Sequence, residues 1–259
     1  MDATILDKLP LWGVGLLTLG LVLAAIRIGR IAGMASVRRK VDEDHGPVGS
    51  VVAAVLGLLA FMLAFTFGIS ASRFDARKGL LLGEVNAIGT LATRAELLPD
   101  PHGKASLELI RRYVEIRASL PGVTDIQKAI ADSEAIQDQL FSEAKAAMGK
   151  MDGEIFTSYL ESLNLVMDLH TSRVTVALQY RIPGMIWLGL FLVTGISMAG
   201  VGYQMGLSKK SSLFIQLCLA VAFSWVVLLI ATLDRTREGS ITVSQQPMIE
   251  LKKKLDRSP

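Results

Sequence analysis

The sequence predicts an all-α integral membrane protein: four transmembrane helices in two hairpins, with a helical extramembrane domain inserted between them. Three observations carry this. The 259 residues are 51% hydrophobic with a mean hydropathy of +0.45, more apolar than a water-soluble core requires, so the surplus belongs in spans. Four runs hold no charge and are long enough to cross a hydrocarbon layer: Leu9–Ile26, Val51–Ile69, Gly184–Met205 and Leu213–Leu233. Between the second and third lies a stretch with no such run, where apolar residues instead recur every three or four positions. The resulting plan is an N-terminal transmembrane hairpin (1–72), a helical extramembrane domain (73–181), a C-terminal transmembrane hairpin (182–234) and a polar tail (235–259).

The first span carries Trp12 near its edge as an interfacial anchor. A cleaved signal peptide is the rival reading. Acidic Asp2 and Asp7 precede the apolar run and no small-x-small cleavage pattern follows, which favours a retained helix. Arg27, Arg30, Arg38, Arg39 and Lys40 come next, then the acidic Asp42, Glu43 and Asp44, and His45-Gly46-Pro47 breaks the chain. The second span, Val51 to Ile69, organises the rest and ends in a polar, basic turn of sequence, Ser70 to Lys78. Phe61 and Phe65 are four apart and share a helix face, with Arg73 two turns further on and close to it.

In the middle domain, Leu81, Val85, Ile88, Ala92, Ala95 and Leu98 mark an amphipathic helix ended by Pro99 and Pro101. A second runs from Lys104 to Leu120, with Leu107, Ile110 and Val114 on one side, and is stopped by Pro121-Gly122. Thr124-x-x-Gln127 reads as a capping box opening a third. A fourth begins near Asp152, carries Ile155, Tyr159, Leu163 and Val166, and heads directly into the membrane, Arg181 lying two residues before Pro183. Pro183 suits a first helical turn. The third span is Gly-rich, and small residues at four-residue spacing, such as Gly195 and Ala199, allow close helix approach in lipid. Lys209-Lys210 marks a short loop before the fourth span.

Charge does not orient these spans. The short loops hold seven basic residues (Arg27, Arg30, Arg38, Arg39, Lys40, Lys209 and Lys210), but Lys8, Arg73, Arg77, Lys78, Arg173, Arg181, Arg235 and Arg237 flank the opposite ends, so the positive-inside rule nearly ties.

The residue inventory excludes several function classes. The net charge of +3 is modest and scattered, which makes nucleic acid a poor partner. Cys218 is the only cysteine, so no intramolecular disulfide or cysteine metal site forms. His45, His102 and His170 are far apart and fit no metal-binding spacing, and no serine sits in a hydrolase pattern. No catalytic residue, metal or cofactor is expected. Gly200-x-Gly202-x-x-x-Gly206 before Lys209 has the wrong spacing for a phosphate loop and suits helix packing. Glu84, near Asn86, interrupts an apolar stripe; a buried carboxylate paired with Arg77, Arg94 or an arginine of another helix explains it, as does an ion pathway. Arg111, Arg112 and Arg117 read as a solvated or headgroup-facing surface, and Asn164, Asp168, His170 and Arg173 as solvated or intersubunit polar contacts. Phe61 and Phe65 suit lipid contact or helix packing; the functional reading is a hydrophobic constriction, which gates by dewetting if several copies surround an axis.

The run from Phe61 through Phe65 to Arg73-Phe74 and Arg77 resembles the second-helix signature of bestrophin channels: bulky apolar residues four apart, then arginine and an aromatic, then another basic residue. Glu84-Val-Asn86-Ala-Ile88-Gly89, Arg94-Ala-Glu-Leu-Leu-Pro99 and the closing Leu233-Asp234-Arg235-x-x-x-Gly239-Ser-Ile-x-Val243-x-Gln245 are similar to a bacterial bestrophin-like membrane-protein family of unknown function. The resemblance implies a ring-shaped homo-oligomer, pentameric in bestrophins, in a bacterial inner membrane, with the lipid bilayer, further copies of the chain and a permeant ion as partners. It implies that the second span lines the pore, with Phe61 and Phe65 as its neck and both termini and the middle domain in the cytoplasm. Arg73, Arg77, Glu84 and Asn86 are then pore-mouth or structural polar residues. Gly57 stands where the neck pattern has a third bulky residue, and no acidic cluster after the fourth span matches the calcium clasp of animal bestrophins, so calcium gating is not implied. A non-conducting membrane scaffold or sensor, whose helical domain binds a protein, is the alternative.

Overall fold

The computed structural model describes residues 9–39, 45–120, 123–150, 152–208, 212–235 and 242–257. The expectations placed on Asp2, Asp7, Lys8, Lys40, the Asp42–Asp44 patch, Pro121-Gly122, Lys209-Lys210, Arg237 and Gly239 to Ile241 lie outside the described residues. Those described form eight helices and no strand: α1 (Leu11–Arg38), α2 (His45–Ala95), α3 (His102–Ser119), α4 (Ile126–Ala147), α5 (Gly153–Leu178), α6 (Gly184–Leu207), α7 (Leu213–Asp234) and α8 (Gln246–Arg257). Four of them, α1, α2, α6 and α7, are long and apolar enough to cross a membrane.

The second span and the first middle-domain helix are one helix. α2 runs unbroken for 51 residues, about 75 Å at the usual rise. Ser70 to Lys78 ends the apolar stretch without ending the helix, because it contains no proline or glycine and Ala, Arg and Lys are good helix formers. The hydroxyls of Thr66 and Ser70 donate to the carbonyls of Met62 (2.7 Å) and Thr66 (3.1 Å), which satisfies them without opening the helix. α2 also begins at His45, so Pro47 sits in its first turn, where a missing N–H costs nothing.

The chain divides into two compact units, Met1–Phe74 with Arg181–Thr242, and Asp75–Tyr180 with Val243–Pro259. In the first, α1 packs along α6 and α7. Its core joins Val22 and Ile26 of α1, Leu59 and Leu63 of α2, Leu190 and Met198 of α6, and Val227 and Ile230 of α7. Helices α1 and α6 meet backbone to backbone: a Cβ at Gly202 would strike the Ile26 carbonyl, and one at Gly29 the Ala199 carbonyl. Gly33 and Gly206 repeat the arrangement one turn on. The glycine run before Lys209 is thus helix-packing material.

In the second unit α3 packs on α4 and α8, and α4 on α5. Leu81, Ile88 and Leu91 of α2 meet Tyr113 and Val114 of α3, Leu140 of α4 and Leu163 of α5 in one core. Three local expectations are corrected. The cap of α4 is Asp125, whose carboxylate accepts the Lys128 N–H at 3.0 Å, one position after Thr124. Helix α5 ends at Leu178 and does not continue into α6. The tail contains an amphipathic helix, α8, that buries Met248, Leu251 and Leu255 in the same core.

Candidate functional site

Helix α2 carries Phe61, Phe65, Arg73, Arg77, Glu84 and Asn86, the neck and pore-mouth residues that the resemblance implies. Its buried side holds Leu59, Leu63, Thr66, Ser70, Arg77, Leu81, Glu84 and Ile88, which recur at helical spacing along its whole length. Phe61 and Phe65 point the other way: they are 68% and 58% exposed and stack with ring centroids 6.3 Å apart. Of the four apolar helices, α2 buries the smallest share of its most hydrophobic stretch, 17% against 28% for each of the others.

Arg73 turns toward α7, where its guanidinium lies 3.4 Å from the Asp234 carboxylate. The same carboxylate oxygen accepts the backbone N–H of Ile182 at 3.0 Å, and the Asp234 carbonyl accepts from Arg181 at 3.2 Å. Arg77 is buried. Asn86 is exposed, and its carbonyl accepts the Thr90 hydroxyl at 3.1 Å. Glu84, two residues away, faces the opposite direction and is fully buried. The structure therefore does not bring Glu84 and Asn86 together.

Glu84 is the centre of a polar cluster inside the second unit. Arg117 of α3 approaches both carboxylate oxygens, at 3.1 and 3.2 Å, and Arg173 of α5 donates to Oε2. Tyr113 donates its hydroxyl hydrogen to Oε1 at 2.7 Å. Because that hydrogen is committed, the Tyr113 oxygen accepts from His170 Nδ1 (3.1 Å) and Gln137 Nε2 (3.4 Å). His170 is thereby fixed as the Nδ1–H tautomer, leaving Nε2 buried without a hydrogen-bond partner among the described residues. Arg173 also reaches Gln245 Oε1 at 3.4 Å, tying in the segment before α8.

One carboxylate thus faces two guanidinium groups, and the cluster carries one net positive charge. Burial, then the positive charge of Arg117, pushes the His170 imidazole down to about 4, so it is neutral at neutral pH. Burial and the neighbouring Glu84 raise the Tyr113 phenol above its ordinary range. The partners of Glu84 are neither Arg77 nor Arg94 but arginines of two other helices, as one of the sequence alternatives has it. Arg117, expected on a solvated or headgroup-facing surface, and His170 and Arg173, expected in solvated or intersubunit contacts, instead meet inside one chain. Arg94 donates to the Ser158 carbonyl. Among the described residues no group of three or more His, Cys, Asp or Glu is placed to hold a metal ion.

This architecture defines a class: an all-helical integral membrane protein with four apolar helices, one of which extends into a helical unit of its own. The chain belongs to the bestrophin-like family, whose domain matches residues 20–248. Crystal structures of a bacterial bestrophin homologue from Klebsiella pneumoniae share the fold. One point variant superposes with a TM-score of 0.69 at 13% identity, covering 93% of this chain and 97% of that one. A second gives 0.66 at 16% identity over 99% and 97%, and the form phased on zinc 0.63 at 15% over 93% and 96%. No curated protein sequence matches the chain.

Proposed function

We propose that this protein is an oligomeric ion channel of the bacterial inner membrane, in which α2 of each copy lines a common path and Phe61 and Phe65 form its neck. The observation that carries the reading is the two-sidedness of α2. One side is packed inside the chain, while the other presents two stacked, exposed phenylalanines in the least buried of the four apolar helices among the described residues. Membership of the bestrophin-like family supports it. Several such faces around an axis make an apolar collar that dewets when narrow and conducts when wide. Arg73, Arg77 and Glu84 then serve structure, since they point into the chain, and Asn86 lies on the path side. Conduction needs no covalent chemistry and no cofactor. We place both termini and the helical unit in the cytoplasm, and the ring as a pentamer on the family resemblance.

The test is ion flux from purified protein in liposomes. Flux that rises in Phe65→Ala supports the neck. An oligomer without flux, in wild type and Phe65→Ala alike, favours a membrane scaffold that binds a protein partner. A strictly monomeric particle in detergent and in lipid overturns the reading. Labelling of single cysteines placed at positions 42–46 from outside intact cells tests the orientation.

A further inference from the structure

The turn between α4 and α5 brings a lysine onto a histidine that is already held by a carboxylate. Helix α4 ends on Ala147, which is fully buried in the core of the second unit. Gly149 follows with φ +78°, a backbone conformation that glycine adopts without a Cβ clash. The Lys150 N–H then donates back to the Ala147 carbonyl at 3.1 Å. Lys150 is thereby returned toward α3, where its Nζ lies 2.9 Å from Nε2 of His102, the first residue of that helix. The other ring nitrogen, Nδ1, is 2.8 Å from a carboxylate oxygen of Glu143 on α4. A carboxylate can only accept there, so the neutral ring carries its hydrogen on Nδ1 and turns the Nε2 lone pair to the lysine. The His102 side chain is 12% exposed and that of Glu143 32%, whereas Lys150 is exposed. The base is sheltered and the amine is open to reagents. Lys104 and Lys252 sit instead against carboxylates, Asp100 and Glu115, each at 2.8 Å, and those hydrogen bonds hold both ammonium groups above their ordinary range.

We propose that Lys150 is a nucleophilic lysine that takes an acyl group from an activated donor of the thioester class, with His102 as its proton acceptor and Glu143 positioning the ring. Nucleophile, base and orienting group stand within hydrogen-bond reach of one another in the order that activates an attacking group. Nζ first gives one proton to solvent, and its lone pair then forms a bond to the acyl carbon. The attacking nitrogen becomes positively charged and far more acidic than the starting ammonium. Its proton passes to His102 Nε2 as the C–S bond breaks and the electron pair leaves on sulfur. The imidazolium, stabilised by Glu143, returns that proton to the thiolate, so that an amide, a free thiol and one solvent proton are the products. The amide has lost the lysine charge and with it the ammonium that faces His102, which releases the turn from α3. The site lies wholly within the second unit, and its chemistry is independent of conduction.

The test is the rate of acetylation at single lysines when the purified full-length protein, in detergent, is incubated with acetyl-coenzyme A and followed by peptide mass spectrometry. Lys150 is expected to react about tenfold faster than Lys104 and Lys252, short of the roughly hundredfold or more that a positioned base supplies in an enclosed active site. His102→Gln can still hydrogen-bond the amine but takes no proton, and it is expected to bring Lys150 down to the rate of the two reference lysines. Glu143→Ala should slow Lys150, and Glu143→Gln, which keeps an acceptor for Nδ1–H, should restore most of the rate. Unchanged rates at Lys104 and Lys252 in every variant check that the fold is kept. Equal rates at all three lysines in wild type overturn the proposal. So does a Lys150 rate that is unchanged in His102→Gln, or a change that the three lysines share. Should His102→Gln fail to fold, the Glu143 pair decides: Lys150 as fast in Glu143→Ala as in wild type overturns the proposal equally.

Discussion

Asp234 caps Ile182. The carboxylate at the end of α7 accepts the backbone N–H two residues before α6 begins, and the same oxygen meets the Arg73 guanidinium of α2. One buried side chain therefore ties three apolar helices together at one end. Asp234→Ala strands a buried N–H and removes the arginine's partner, at a cost of about 1–3 kcal/mol for the orphaned donor alone. Asp234→Asn keeps an acceptor and is expected to cost less. Thermal unfolding of the purified variants in detergent should rank them wild type, Asn, Ala; equal midpoints for all three would show that the cap is dispensable.

Helices α1 and α6 are in contact at their backbones. No side chain fits at Gly202 or Gly29 without moving a facing carbonyl, and helices pressed together in this way depend on dispersion and close approach in lipid. Gly202→Ala is expected to separate the pair and cost at least the 1–3 kcal/mol usual for overpacking, roughly. Gly195→Ala is the control, since a Cβ there comes only to 4.0 Å from Leu21. A loss of monodispersity on size-exclusion chromatography in Gly202→Ala but not Gly195→Ala is the expected result.

The contrast between those two glycines shows where sequence reading reaches its limit. Spacing identified α6 as a close-packing helix and placed Ala199 in the contact, but which small residue faces a neighbour depends on the crossing, which no local pattern records. The four spans and the amphipathic middle helices were legible because periodicity is a local property. The continuity of α2 was not, because Ser70 to Lys78 changes polarity without carrying a helix breaker. Helix α8 was hidden by Lys252, Lys253 and Lys254, although Met248, Leu251 and Leu255 hold the i, i+3, i+7 pattern. The Glu84 cluster joins residues 33 and 89 positions apart. An arginine that crosses such a distance looks the same in sequence as one in solvent.

Glu84 balances two guanidinium groups, Arg117 buried and Arg173 partly so, and its charge should therefore matter more than its shape. Glu84→Gln leaves Arg117 and Arg173 facing each other and is expected to cost about 3–5 kcal/mol, the range for breaking a buried pair from one side. Arg173→Met should cost less in the Glu84→Gln background than in wild type, because there it relieves repulsion. A double-mutant cycle of unfolding free energies measures the coupling; simple additivity would mean the three groups do not act as a unit.

The buried His170 ring makes the helical unit sensitive to acid. Its folded-state value is lowered from the ordinary 6.5 to about 4, so the unfolded chain takes up a proton first as the pH falls. The associated stability is fully present above about pH 6.5, is lost progressively as pH falls toward 4, and changes no further below that. A shift of this size amounts to about 3 kcal/mol at most. Protonation at Nε2 would add a further positive charge to a cluster that already has one in excess, with Glu84 opposed by Arg117 and Arg173 and with Tyr113, Gln137 and Gln245 neutral. Urea unfolding of the purified protein should therefore show a midpoint that falls between pH 6.5 and 4, and His170→Gln should flatten that part of the curve while leaving the response to carboxylate protonation below it. An identical pH profile in His170→Gln would show that the imidazole is not the group responsible.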